Sequence, residues 1–186
     1  MSCPLCQHDE HYSFILREQV PVLQNQVFDT QDAARSIARG TLDMAICPAC
    51  GFVFNQMFDP DMLQYDERYD NAQHCSAYFE DYLDALVERL VEEEGITEAT
   101  ILEIGCGQGH FLRKLVEHRA SNNVGIGVDP SLRNVPAATD RLSFYADRLE
   151  SIAEEVTADV IICRHVIEHI NDPMVFLAQI RQLAER

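Results

Sequence analysis

Residues 102–109 read Leu102-Glu103-Ile104-Gly105-Cys106-Gly107-Gln108-Gly109. An apolar run, Thr100–Ile104, passes directly into glycines at alternate positions, and a helical pattern follows over Gly109–Glu117. Strand, glycine loop and helix in that order restrict the chain to a small set of α/β folds. The glycines let backbone approach a ligand closely, and the helix start offers free N–H groups to it. A dinucleotide fingerprint, G-x-G-x-x-G, needs glycine where this chain has His110. The spacing here is G-x-G-x-G, with an acid, Glu103, two residues before the first glycine.

The pattern around the loop repeats the alternation. Val124–Val128, Leu142–Tyr145 and Asp159–Cys163 read as further buried strands. Asp172-Pro173 opens an amphipathic helix carrying Val175, Phe176, Ile180 and Leu183. The expected fold is α/β: a Rossmann-like parallel sheet over 96–186, shortened after its fourth strand and the helix that follows. Before it, Ser76 begins a helix whose stripe is Phe79, Tyr82, Leu83, Leu86, Val87, Leu90 and Val91. Glu92-Glu93-Glu94-Gly95 ends that helix with acids against its dipole, so fraying is expected there. Residues 59–95 thus form a connector and a helix that covers the sheet.

Residues 1–58 have another texture. Two knuckles, Cys3-Pro4-Leu5-Cys6 and Cys47-Pro48-Ala49-Cys50, bracket short strands at Tyr12–Leu16, Val20–Val27 and Leu42–Ile46. Asp29-Thr30 caps a short helix expected to run through Ile37 and stop at Gly40. Each knuckle aims two sulfurs at one point, and four thiolates suit a tetrahedral Zn2+. Such a site has no coordination position left for a substrate, so the ion is structural: it folds a segment too small for a large core. His8 and His11 are spare donors.

Chemistry is expected at the carboxyl ends of the strands, where open parallel sheets bind ligands. Asp129 closes the second strand and can accept hydrogen bonds from both hydroxyls of a ribose; Pro130 equally suits a turn. Asp147 closes the third strand, where an acid either receives an adenine amino group or simply forms the turn. After the fourth strand, Cys163-Arg164-His165-Val166-Ile167-Glu168-His169 places two imidazoles and a carboxylate for proton transfer near neutral pH.

Charge and apolar run length exclude other functions. With 31 acids against 14 bases the net charge is −17, and no segment is basic, so nucleic acid is not the expected partner. No apolar run approaches the roughly 20 residues of a membrane helix. Seven cysteines without an export signal point to reduced thiols and metal ligation in a cytoplasm.

Glu103–Gly109, Asp129, Asp147 and the segment after the fourth strand together resemble the class I S-adenosylmethionine-dependent methyltransferases. The two knuckles, Val20-Pro21-Val22-Leu23, Gly40-Thr41-Leu42, Cys50–Asn55, Tyr65–Asn71 and Arg164–His169 narrow the resemblance to the zinc-containing C-methyltransferases of deoxysugar biosynthesis. That resemblance implies an enzyme that methylates carbon in a small molecule, a nucleotide-linked keto-deoxysugar. It implies that Gly105, Gly107 and Gly109 line the methionine part of S-adenosylmethionine, with Glu103 in the same set. Asp129 would hold the ribose and Asp147 the adenine. Glu168 and His169 would be the catalytic acid–histidine pair, assisted by a tyrosine among Tyr65, Tyr69 and Tyr78. Cys3, Cys6, Cys47 and Cys50 would hold the zinc. The chain departs from the family at Val166, where a tyrosine can stand, and the family continues well beyond the fourth strand. Other readings of the residues are a zinc-containing RNA or protein methyltransferase and a non-catalytic interaction module.

Overall fold

The structure, a computed structural model, describes residues 2–23, 26–62, 76–132 and 138–186. The chain divides into two compact units, Met1–Asp70 with Ile170–Phe176, and Asn71–His169 with Leu177–Arg186. Among the described residues no helix is long and apolar enough to cross a membrane.

The first unit holds an antiparallel sheet of β1 (Tyr12–Pro21), β2 (Arg39–Ile46) and β3 (Val53–Asn55), in that order. The two expected stretches, Tyr12–Leu16 and Val20–Val27, are replaced by one strand that ends at Pro21. It is broken by register shifts between Ser13 and Ile15 and between Arg17 and Val20, with Gln19 at φ 57°. These bulges insert extra residues and bend the ribbon, which blurs the alternation in sequence. Ala45 and Phe54 are direct partners on one face and bury against Cys3 and Cys47. The opposite face carries a cross-strand row of Tyr12, Ile46 and Val53, all exposed. Helix α1 (Gln31–Arg35) is capped by the Thr30 hydroxyl, which accepts from the Ala33 N–H. It ends at Ser36, not at Gly40 as expected; Gly40 lies inside β2 opposite Val20. Ser36 ends the helix by turning its own N–H and hydroxyl back to the Ala33 carbonyl.

The second unit is built on a four-stranded parallel sheet: β4 (Thr100–Ile104), β5 (Val124–Val128), β6 (Leu142–Tyr145) and β7 (Val160–Cys163). The spatial order is β6-β5-β4-β7, the Rossmann-like order in which the first strand stands between the second and the fourth. Helix α2 (Ala77–Glu88), capped by Ser76, and helix α3 (His110–Glu117) cover one face. Leu83, Val87 and Val91 pack there with Ile101, Phe111, Leu112, Leu115, Val116 and Leu142. Tyr82 is about half exposed and sits off the stripe. Gly125 is what lets α3 lie so close: a Cβ there would meet Leu142, Val116 and Leu112 at 2.8 to 2.9 Å. The acidic end of α2 stays helical beyond Glu88. It widens into a π turn over Arg89–Glu93, where Arg89 pairs with Glu94 at 3.3 Å and Arg119 lies 3.7 Å from Glu92. Those cations offset the acids at the negative end of the dipole. Two further helices follow in the chain, the short α4 (Leu149–Ile152) and α5 (Pro173–Ala184).

A buried amide fixes the entry of two strands. Asn123, fully buried, accepts from the Ala99 N–H and donates to the Ile96 carbonyl. Nothing in the local pattern announces it, because its partners are 24 and 27 residues away.

Candidate functional site

The order of strands reverses at β4, where β5 and β7 lie on opposite sides of it. Connections leaving neighbouring strands at such a point part to opposite faces, and the crevice outside their carboxyl ends is where doubly wound sheets take ligands. The loop Gly105–Gly109 leaves β4 there, and Arg164–His169 leaves β7 beside it.

The loop is held in a form that side chains disfavour. Gly105, Gly107 and Gly109 have φ of 70°, 56° and 75°. A Cβ on Gly105 would fall on Val166, and one on Gly109 on the Phe144 ring, whereas Gly107 faces open space. Gly109 is also the N-cap of α3 and has no side chain to occupy the helix start. Of the first-turn amides, that of Leu112 is directed at the Glu103 carboxyl.

Asp129 belongs to this loop. It is 8% exposed, and its Oδ2 accepts from the Gly107 N–H at 2.8 Å. Its Oδ1 accepts from the Ser131 N–H at 2.7 Å and the Ser131 hydroxyl at 2.6 Å. A carboxylate offers about four acceptor positions. Among the described residues three are engaged, which leaves room for one further donor. Ser131 was not singled out from the sequence, where nothing but Asp-x-Ser spacing marks it.

Glu103 is buried at the end of β4, 3% exposed, and its Oε2 has no hydrogen-bond partner among the described residues. Burial, opposed by Arg164 and the Leu112 amide and aided by Asp129, pushes its carboxyl up to about 8. Arg164 itself lies over the Phe111 ring, 4.0 Å from its centroid. Arg164 is a further site residue that its neighbours in sequence, the histidines, obscured. The Cys106 thiol, mostly buried, is also pushed up, which keeps it neutral and unreactive.

Glu168 and His169 stand in a 3-10 turn over Ile167–His169, both exposed. The Glu168 carboxylate lies 3.9 Å from Nδ1 of His165, whose backbone has φ 55°. The His169 N–H donates to the Val166 carbonyl at 2.9 Å, closing the turn. Asp147 stands apart: its Oδ1 accepts from the Arg148 N–H and the Ser151 hydroxyl, holding the start of α4 and drawing the carboxyl down. Tyr78 is in the first turn of α2 and strongly exposed. Tyr65 and Tyr69 lie outside the described residues.

In the first unit the sulfurs of Cys3, Cys6, Cys47 and Cys50 all lie within 4.8 Å of one another. Cys3 and Cys50 are 3.8 Å apart and Cys6 and Cys47 3.6 Å. Four sulfurs bound tetrahedrally at about 2.3 Å stand about 3.8 Å apart, so the cluster has the size of a zinc site. The cluster shares its protons unevenly. Burial raises the Cys47 thiol, but the amides of Cys50 and Ala49 and the sulfurs of Cys6 and Cys50 bring it down to about 6. The His8 backbone favours the Cys6 thiolate, yet burial and the other three sulfurs push that thiol up to about 12. Four thiolates this close would repel one another unless a cation lay between them.

Residues 76–185 match a family model described as a methyltransferase domain. Curated relatives named ubiquinone biosynthesis O-methyltransferase, from strains of Cereibacter sphaeroides, are 31% identical over 91 residues. The match takes in 45% of this chain and 36% of theirs, so the chain spans about a third of the length of these relatives. Two solved structures overlap it in part. A cyclopropane-fatty-acyl-phospholipid synthase-like protein from Lactobacillus casei is 19% identical with a TM-score of 0.42, covering 55% of this chain and 45% of its own. CalO1, a methyltransferase in calicheamicin biosynthesis in its SAH-bound form, is 19% identical with a TM-score of 0.30, over 51% of this chain and 31% of its own. Both overlaps are too partial to bear on the chemistry.

Proposed function

Since the chain belongs to the methyltransferase-domain family through residues 76–185, we propose that it binds S-adenosylmethionine on the Gly105–Gly109 loop and methylates a small molecule. The observation that carries this is the cluster at the strand reversal: a left-handed glycine loop, tied by its Gly107 amide to Asp129, beside a buried Glu103 oxygen that lacks a partner among the described residues. These residues fit the cofactor, because they offer an open backbone cradle, a free acceptor position for a ribose hydroxyl and an unpaired acceptor for an ammonium. Asp147, whose second oxygen is not needed to hold α4, would take the adenine amino group.

When bound, the cofactor supplies an electrophilic methyl group on a sulfonium. The chain's part is to align the acceptor and remove its proton. His169 takes that proton, with Glu168 orienting the imidazole through the turn they share. A tyrosine among Tyr65, Tyr69 and Tyr78 would stabilise an oxygen anion on the acceptor. The acceptor we propose is a carbon α to the keto group of a nucleotide-linked deoxysugar. The names of the curated relatives favour a second reading, in which the same base takes the proton of a hydroxyl. The knuckles hold a structural zinc ion, and residues 1–58, 59–95 and 96–186 serve as zinc module, connector with covering helix, and cofactor domain.

Calorimetric titration of the chain with S-adenosylmethionine tests the reading. Saturable binding that weakens in Asp129→Ala is expected. Absence of any binding would overturn it in favour of a non-catalytic module. Incubation with a labelled methyl donor and either a nucleotide-linked keto sugar or a hydroxylated acceptor, read by NMR of the product, separates carbon from oxygen transfer.

A further inference from the structure

The glycine loop is packed at its two ends and open in the middle. At its far end the Phe144 ring of β6 fills the place that a Cβ of Gly109 would take, and the same ring lies 2.7 Å from where a Cβ of Gly127 would stand. At its near end one methyl of Val166, Cγ2, fills the place of a Gly105 Cβ. Gly107, between them, faces open space. Val166 has a second contact through its backbone. Its carbonyl accepts from the His169 N–H at 2.9 Å and closes the 3-10 turn that carries Glu168. The preceding residue, His165, holds the left-handed backbone, φ 55°, at the exit from β7. A side chain in that region is strained, and the strain persists only where the surroundings hold it. The closed turn and the Val166 methyl on Gly105 are two contacts that do so. Gly105 is itself fixed, since its N–H donates to the Val128 carbonyl at 2.8 Å, one residue before Asp129. One residue thus touches the glycine loop with its side chain and holds the backbone of the proposed base with its carbonyl.

We propose that Val166 is a positioning residue: its side chain, seated on Gly105, couples a ligand on the glycine loop to the turn that aims Glu168 and His169. The inference rests on the cofactor reading above and deepens it. A branched residue suits the place. Cγ2 reaches the glycine, whereas Cβ and Cγ1 stay 3.6 and 3.8 Å from a Gly105 Cβ, at ordinary contact. Truncation to alanine therefore removes the reaching methyl and keeps the carbonyl that accepts from His169. Groups packed at interior density have no slack and move together, and a methyl-sized gap releases them. With valine in place, a shift of the loop on ligand binding passes to the turn. With alanine it stops at the gap. The link is reciprocal, so a turn held in place also favours the liganded loop.

The test is NMR of the full chain. The imidazole signals of His169 are assigned by their loss in His169→Gln and followed as S-adenosylhomocysteine is added to saturation. In the parent they should move. In Val166→Ala the ligand should still bind, within about fivefold of the parent affinity, while the His169 displacement falls by about half or more. Val166→Ile, which keeps the branch, should restore the displacement. A merely structural role would lower the stability of Val166→Ala and leave the displacement unchanged, and that result overturns the proposal. So does a His169 signal that stays in place when the parent is saturated. Urea unfolding checks the contact itself. Gly105→Ala drives a Cβ onto the Val166 methyl, so its effect on the unfolding constant should shrink by about tenfold in the Val166→Ala background. What remains is the strain of a side chain at φ 70°. Equal effects in the two backgrounds would remove the contact and the proposal with it. If Gly105→Ala does not fold, recovery of a folded double variant supports the contact, and if neither folds the NMR result decides. Saturable binding with a His169 displacement independent of residue 166 removes this inference alone. No binding to the parent removes the cofactor reading beneath it as well.

Discussion

Replacing Asp129 by asparagine separates tethering of the glycine loop from ligand contact. The carboxylate takes three donors: the Gly107 N–H on one oxygen, the Ser131 N–H and hydroxyl on the other. An amide of the same shape has one oxygen and one NH2. If its oxygen faces Ser131, the NH2 confronts the Gly107 N–H. If it is turned over, the Ser131 N–H is confronted instead, while the Ser131 hydroxyl rotates to accept. Either way one backbone N–H loses its acceptor at a site that is 8% exposed. A hydrogen bond to a charged group contributes about 1.5–3 kcal/mol, and the orphaned donor adds to the loss. Asp129→Asn should therefore destabilise the unit by about 2–3 kcal/mol. Ser131→Ala, which removes one hydroxyl donor and leaves both backbone N–H groups paired with the carboxylate, should cost less, about 1.5 kcal/mol at the low end of that range. The chain has no tryptophan, so urea unfolding is followed by far-ultraviolet circular dichroism. Asp129→Asn within about 0.5 kcal/mol of the parent, or Ser131→Ala as damaging as Asp129→Asn, would refute the tether.

Three further outcomes follow from the geometry. The Glu103 carboxyl is raised from its ordinary 4.5 to about 8, so its contribution to stability is full below pH 4.5 and is lost as pH rises to about 8; the loss is of order 4–5 kcal/mol, Glu103→Gln should flatten it in urea titrations across that window, and a parent curve rising over the same window would contradict it. His169→Ala should abolish turnover and leave the dissociation constant for S-adenosylmethionine within about twofold; a large loss of affinity would move His169 to the cofactor set or to folding. Removing metal with a strong chelator should unfold the β1–β2–β3 sheet while leaving the four-stranded sheet folded, with about one zinc per chain by metal analysis beforehand; a dichroism spectrum unaffected by chelation would show that the cysteine cluster folds without an ion.

Much of the second unit was legible because its strands are short, buried and punctuated. Thr100–Ile104, Val124–Val128 and Leu142–Tyr145 occur where the apolar runs place them. The glycine loop was legible for the same reason, since a strand and a helix must flank it. What the sequence hid depends on distance along the chain. Asn123 pins strand entries through partners far away, and Arg164 was masked by the titratable residues next to it. In the first unit, bulges at Ser13–Ile15 and Arg17–Val20 destroyed the alternation on which strand recognition rests. Gly40 reads as a helix stop in sequence because glycine serves turns and strands alike, and only its pairing with Val20 decides between them. The three-residue strand Val53–Asn55 and the four-residue helix Leu149–Ile152 are too short to show a period.

The two cysteine knuckles stand at the mouth of a hairpin, with Cys6 and Cys47 separated by 41 positions. An ion that clamps them closes a ring whose loss of chain freedom, on the statistics used for a cross-link of that span, amounts to about 4 kcal/mol. With such an ion in place, the clamp would add to what apolar burial contributes to holding the ribbon together. A molecule born in a metal-starved cell would hold Tyr12, Ile46 and Val53 on an unfastened strand pair, an invitation to stick to its neighbours before it ever meets a substrate.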